Sequence, residues 1–284
     1  MPAAKQQLIS FLRGFGQVML QESAPTGVLF LAGLFAGSVA MASGAILGAA
    51  AGVVAARLAG LSADGTARGL HGFNAALVGI AMLAFHPPGL LSIGLIVLGG
   101  AASTLLMEAM RRRVPALPPY TAPFVLTGWV MLAIAGVAGL PPAAAAGAPL
   151  PAGELPAVLR GIGQVMFQDS WLAGLLFTIG LALHSRQAAA WALIGSALGL
   201  VTARSLGFPE HLSGAGIHGF NGALAGIALG DRYRGNVAAP LAGIVLSTLL
   251  VRAFQLAGFP ALTAPFVLST WVVSQAYRSG ARTR

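Results

Sequence analysis

The stretch Leu117-Pro118-Pro119-Tyr120-Thr121-Ala122-Pro123-Phe124-Val125-Leu126-Thr127-Gly128-Trp129 returns, little changed, as Phe259-Pro260-Ala261-Leu262-Thr263-Ala264-Pro265-Phe266-Val267-Leu268-Ser269-Thr270-Trp271, 142 residues on (121 to 263). Both copies keep a threonine and two prolines inside apolar sequence. Two further blocks repeat in the same order. Arg13-Gly14-Phe15-Gly16-Gln17-Val18-Met19 reappears as Arg160-Gly161-Ile162-Gly163-Gln164-Val165-Met166, and His71-Gly72-Phe73-Asn74 as His218-Gly219-Phe220-Asn221, each 147 residues on (13 to 160, 71 to 218). Arg57 likewise has a counterpart in Arg204. Three blocks in one order and spacing make the chain a tandem duplication.

Composition sets the solvent. The chain is 57% hydrophobic and 8% charged, with a mean hydropathy of +0.83, far from soluble domains at about 45–50% and 25%. An integral membrane protein follows. Long apolar runs such as 28–39 and 90–106, with no alternating apolar and polar pattern, point to helices rather than a barrel. The 39 glycines suit helices packed closely in lipid. The N-terminal stretch has no small-residue cleavage site, so no signal peptide is expected. The net charge of +9 sits mainly at the ends of apolar runs, which fits the positive-inside rule and contact with membrane lipid better than nucleic-acid binding. Without cysteine there are no disulfides, thiolate metal ligands or thiol nucleophiles, and no cofactor is expected.

The pattern predicts an all-α multi-pass protein whose first half has helices near 5–20, 26–40, 43–59, 72–84, 89–108 and 121–139. The segment at 72–84 is shorter than the roughly 20 residues that a crossing needs. Paired short helices in two halves point to a central solute site. The division expected is 1–140 for the first repeat, a Pro/Ala/Gly-rich linker at 141–157, and 158–284 for the second. Charges set the orientation. After the short helix the first half has His86-Pro87-Pro88-Gly89 and the second Asp231-Arg232-Tyr233-Arg234; one loop later the first has Arg111-Arg112-Arg113 and the second only Arg252. If arginine-rich loops are cytoplasmic, equivalent loops lie on opposite sides and the repeat is inverted, with an odd number of spans per half. The basic tail (Arg278, Arg282, Arg284) and Lys5 then lie inside.

An inverted repeat brings equivalent residues together near the midplane, which selects Thr121 and Thr263 as a constriction of small hydroxyls beside proline-interrupted helix starts. Phe73 and Phe220 are expected to line the path, since aromatic faces clamp a flat solute without hydrogen bonds. Asn74 and Asn221 support the helix starts. Gln17 and Gln164 carry amides at matching positions, and Leu20 and Phe167 complete the apolar walls. His71 and His218 suit either proton relay or a structural hydrogen bond. Glu22 and Asp169 read as mouth or interface groups, not a coupling site. With so few ionisable residues in the spans, the solute should be neutral.

At these same residues the sequence resembles the urea transporter family. The Leu117-Pro118-x-x-Thr121-x-Pro123-Phe124 motif and its copy, the Gly-Phe-Asn-x-x-Leu-x-Gly blocks from Gly72 and Gly219, and the Arg-Gly-x-x-Gln-Val blocks from Arg13 and Arg160 all look like its duplicated signatures. The resemblance spans nearly the whole chain. It implies two inverted halves of five spanning helices plus a short pore helix each, ten spans in total, a pore in each subunit, and a homotrimer in the bacterial inner membrane with both termini cytoplasmic. It further implies passive, channel-like passage of dehydrated urea between slots (Phe73, Phe220, Leu20, Phe167) and along ladders of oxygen atoms, with Gln17 and Gln164 as ladder or slot-edge groups, past Thr121 and Thr263. Two features depart from the family pattern. Leu20 stands where its partner is Phe167, and the familiar Asn-x-Pro after that block is replaced by Glu22-Ser23-Ala24-Pro25 and Asp169-Ser170-Trp171.

Besides a purely structural membrane scaffold, which would lack a continuous polar path between repeat-related residues, two other functions compete on the residues alone. One is a channel for another small neutral solute, such as a short amide, ammonia or water. The other is an intramembrane hydrolase using Ser213 or Thr66 with His218 or His71, for which no nucleophile motif with an orienting acid is evident.

Overall fold

In the computed structural model, residues 3–143 and 153–282 are described. Their regular elements are all helices, divided between two compact units, Met1–Pro149 and Leu150–Arg284. The first unit contains α1 (Ala3–Gln17), α2 (Ala24–Gly37), α3 (Val39–Leu58), α4 (Ala63–Ala67), α5 (Phe73–Phe85), α6 (Leu90–Arg113) and α7 (Ala122–Val137). The second follows the same order with α8 (Glu154–Gly163), running into a 3-10 turn at Gln164–Met166, then α9 (Trp171–His184), α10 (Arg186–Ser205), α11 (Glu210–Gly214), α12 (Phe220–Arg232), α13 (Ala238–Leu256) and α14 (Ala264–Arg282).

The six helices expected in the first half correspond to α1, α2, α3, α5, α6 and α7. The five-residue helices α4 and α11 are additions to that expectation. Part of the expected linker, 144–152, lies outside the described residues, and residues 154–157 instead open α8. Glu154 favours the positive end of the helix, and Pro156 is tolerated in its first turn.

Serines punctuate both halves. Ser38 ends α2 and caps α3, accepting from Met41 N at 3.3 Å, and Ser185 does the same between α9 and α10 through Ala188 N at 3.1 Å. Such caps each contribute about 1 kcal/mol. They also break each pair of apolar helices at one residue. Among the described residues four helices are long and apolar enough to cross a membrane: α3, α6, α10 and α13. A fifth span is present if α8 with its turn and α9, which meet at 77°, count as one bent crossing.

α5 is the centre of the first unit. Ten consecutive residues from Phe73 to Met82 are buried. At 13 residues it is about 20 Å long, well short of the roughly 30 Å hydrocarbon core. Its wall against α3 is made of small residues. A methyl on Gly48 would strike the Ala75 carbonyl oxygen, and one on Gly52 would come within 2.5 Å of the His71 carbonyl oxygen. The lack of side chains lets the two backbones touch, which is how helices gain van der Waals contact where lipid supplies no hydrophobic drive. In the second unit Gly195 and Gly199 approach the Gly222 and His218 carbonyls in the same way. Thr104 of α6 donates to the His71 carbonyl at 3.0 Å, and Thr248 of α13 to that of His218 at 3.4 Å. The carbonyls ahead of both short helices are thereby satisfied inside the protein. Apolar side chains such as Leu98 and Val130 remain 64% and 53% exposed, an outer face suited to lipid.

Candidate functional site

The candidate site in each unit is a frame built around the start of the short helix. In the first, Phe73 and Asn74 open α5. The Asn74 amide donates from Nδ2 to the Tyr120 carbonyl at 3.2 Å, and its Oδ1 accepts from Phe124 N at 3.1 Å. Thr121 is gripped between these two bonds. It is the N-cap residue of α7, yet its own side chain makes no capping bond. Asn74 therefore does the capping from another helix, satisfying one of the donors that a helix start leaves open. Tyr120 has φ of 47°, a left-handed backbone that costs a bulky residue about 1–2 kcal/mol. The clamp holds that reversal in place.

The second unit repeats this bond for bond. Asn221 Nδ2 donates to the Leu262 carbonyl at 3.2 Å, Oδ1 accepts from Phe266 N at 2.9 Å, and Leu262 again has φ of 47°. Thr121 and Thr263 are each only 1% exposed. Strained backbone that recurs in this manner is characteristic of functional sites.

The glutamines serve the neighbouring short helix. Gln17 Nε2 donates to the Arg68 carbonyl at 3.0 Å, at the end of α4, and Gln164 Nε2 to the Ala215 carbonyl at 3.1 Å, at the end of α11. One N–H of each amide is used in this way, which leaves a second N–H and the amide oxygen to that side chain. Three residues on, Leu20 and Phe167 occupy left-handed backbone as well, with φ of 63° and 59°, and both are half-buried. These two residues thus sit at matching tight turns, although one is aliphatic and the other aromatic.

Both histidines are buried and fastened to the short helices. Thr66 Oγ1 and His71 Nδ1 share a hydrogen bond of 2.8 Å, and Ser213 Oγ and His218 Nδ1 one of 2.9 Å. The other ring nitrogen of His218 meets Gln255 Oε1 at 3.2 Å. A serine hydroxyl against histidine invites comparison with a nucleophile and its base. Here the far nitrogen faces an amide instead of a carboxylate, the first unit has threonine in place of the serine, and the bond links α11 to the start of α12. This is a structural tie, not a catalytic triad.

A sequence profile described as Urea transporter matches residues 8–277. The chain belongs to the urea transporter family. Urea transporter 1 of Ovis aries is 26% identical over 302 residues, covering 95% of this chain and 77% of the sheep protein. Urea transporter 1 of Rattus norvegicus is 29% identical over 257 residues, covering 82% of this chain and 65% of the rat protein. The urea transporter family is one of transporters rather than enzymes, and its membership agrees with the apolar helices in making this an integral membrane protein.

Several residues of the frame carry no assignment from the sequence. Arg13 Nη1 donates to the Ala67 carbonyl at 3.0 Å and Arg160 Nη1 to the Gly214 carbonyl at 2.8 Å. Both arginines stand at the head of a repeated block, so repetition alone was a signal for them. Thr104 and Thr248 lie within long apolar helices, and a Ser-Thr-Leu-Leu run repeated at 103–106 and 247–250 was the signal for them. Gly69, with φ of +81°, and Gly216, with φ of +86°, turn the chain directly against the backbones of Arg13 and Arg160. Glu22, expected at a mouth, pairs with Arg68 at 3.0 Å on the exposed surface.

Proposed function

We propose that this chain is a channel-like urea transporter, passing urea down its gradient through a pore in each protomer, with Thr121 and Thr263 supplying the constriction and Phe73, Phe220, Leu20 and Phe167 the slots beside it. In this reading the two halves are inverted repeats, ten spans are reached when the shorter apolar helices also cross, and the protein assembles as a homotrimer in the bacterial inner membrane with both termini cytoplasmic. The observation that carries the reading is the asparagine-clamped threonine, built twice from the same bonds in a member of this family.

The chemistry suits urea. Removing water from an amide without replacement costs about 4–8 kcal/mol on an alkane scale. Threonine hydroxyls and glutamine amide oxygens offset that loss, and ring faces accept the flat molecule without asking for a bond. Ions meet a different barrier. Among the described residues the buried polar groups are serine, threonine, asparagine, glutamine and histidine, with Arg160 the one buried full charge. A dehydrated cation finds no counter-charge among these groups and pays a far larger penalty than urea.

The test is the isosteric pair Thr121→Val and Thr263→Val in proteoliposomes. Losing two hydroxyl contacts of about 1 kcal/mol each lowers urea flux by roughly tenfold or more, with oligomer size unchanged on size exclusion. Unaltered flux in an intact double variant would move the constriction elsewhere.

A further inference from the structure

The halves differ sharply around one repeated arginine. In the second unit Arg204, in the last turn of α10, is clamped by two carboxylates: Nη1 meets Glu154 Oε2 at 2.6 Å and Nη2 meets Glu210 Oε1 at 2.7 Å. Its counterpart Arg57 lies in the last turn of α3. At the repeat shift of 147 residues (57 to 204), the two acids become Gln7 and Ala63. Arg57 consequently has no acidic partner among the described residues. The acids nearby serve another arginine, with Glu22 and Asp64 on Arg68 at 3.0 and 3.9 Å.

Where the clamp is missing there is a groove. It has a volume of about 950 Å³ and runs between α1, α3 and α4, with Arg57, Gln6 and Gln7 contributing polar lining. Leu8 and Phe11 of α1 and Val53 and Val54 of α3 supply apolar walls. Leu8 and Val54 are 58% and 51% exposed, so the groove opens sideways along the helices. Its lining thus combines a cation and side-chain amides with apolar side chains.

We propose that this groove binds an anionic phospholipid, with its headgroup phosphate on the Arg57 guanidinium and an acyl chain along Leu8, Phe11, Val53 and Val54. Charge and depth both match such a lipid. Arg57 ends an apolar 20-residue helix, which is where a spanning helix meets the headgroups. Guanidinium pairs well with phosphate oxygens. The lipid phosphate takes the place that Glu154 and Glu210 occupy around Arg204, so the first half carries a lipid where the second carries an internal ion-pair network. This assignment does not depend on which solute the protein carries.

The experiment is native mass spectrometry of the purified full chain, titrated with phosphatidylglycerol or phosphatidylcholine, with inorganic phosphate as a third arm. One basic side chain near a membrane surface is worth about fivefold in attraction for anionic lipid, and the first bound phosphatidylglycerol should be favoured by about that factor. Arg57→Gln removes the preference. The double variant Gln7→Glu with Ala63→Glu keeps the arginine but rebuilds the clamp of the second half, and it should lose the preference equally. Three results overturn the proposal. The first is an unchanged lipid preference in both variants. The second is displacement of the lipid by equimolar inorganic phosphate, which marks a site for free anions. The third is a change of oligomer size in Arg57→Gln with lipid retention intact, which makes a second copy of the chain the occupant.

Discussion

Truncating the clamp residue, Asn74→Ala, should damage the candidate pathway without touching any residue proposed to meet urea. The side chain is 2% exposed and makes two bonds to the Thr121 segment, at 3.2 and 3.1 Å. Its loss leaves the Tyr120 carbonyl and the Phe124 N–H without that partner, at about 1–3 kcal/mol for each buried group. Lipid offers nothing to replace it. The strain at Tyr120, about 1–2 kcal/mol, then favours relaxation of the segment. A net bias of about 2 kcal/mol leaves about one molecule in thirty with Thr121 in its original place. Stopped-flow light scattering on proteoliposomes should show urea flux reduced by at least tenfold, and a melting curve should report lower stability. Asn221→Ala should behave alike, because Asn221 makes the same two bonds. Wild-type flux and an unshifted melt in both variants would refute the clamp.

Three further outcomes follow from the same geometry. Gly48→Val drives a side chain into the Ala75 carbonyl, with overpacking of about 1–3 kcal/mol; size exclusion should show loss of the monodisperse peak, whereas a substitution at Gly94, which has open space, should not. Gln255→Leu removes the partner of His218 Nε2 and should lower the melting temperature by the cost of one orphaned buried group, about 1–3 kcal/mol, while an unchanged melt would deny the tie any stabilising role. Glu210 is held below its ordinary carboxylate range by hydrogen bonding to Arg204. Its contribution is complete above the unfolded value of about 4.3 and is lost as pH falls through the lower folded value, so the melting curves of the wild type and Arg204→Gln should converge on acidification through that window and stay apart above it.

Helix positions were legible because apolar runs and serine or proline boundaries are local. The duplication was legible too, since its three blocks repeat in the same order with few changes. α4 was not, because 62–67 has no apolar run: the turn depends on a cap from Ser62 to Gly65 N and on contacts from Arg13 and Gln17. Asn74 and Thr121 could both be picked out from the sequence, but not the bonds joining Asn74 to that segment, which span 46 and 50 residues. The left-handed backbone at Leu20, Tyr120, Phe167 and Leu262 runs against residue preference, so tertiary contacts decide it. The lost clamp around Arg57 was present in the sequence as Gln7 and Ala63, yet it becomes meaningful only once Arg204 is seen bound to Glu154 and Glu210.

Passive, selective passage of urea through a neutral pathway is tested most directly by urea flux into proteoliposomes by stopped flow, measured beside ion conductance of the same protein in planar bilayers. Urea should permeate well above protein-free vesicles, unaffected by collapsing proton or sodium gradients, with no ion current. Ion conduction, or urea uptake that requires an ion gradient, would contradict it.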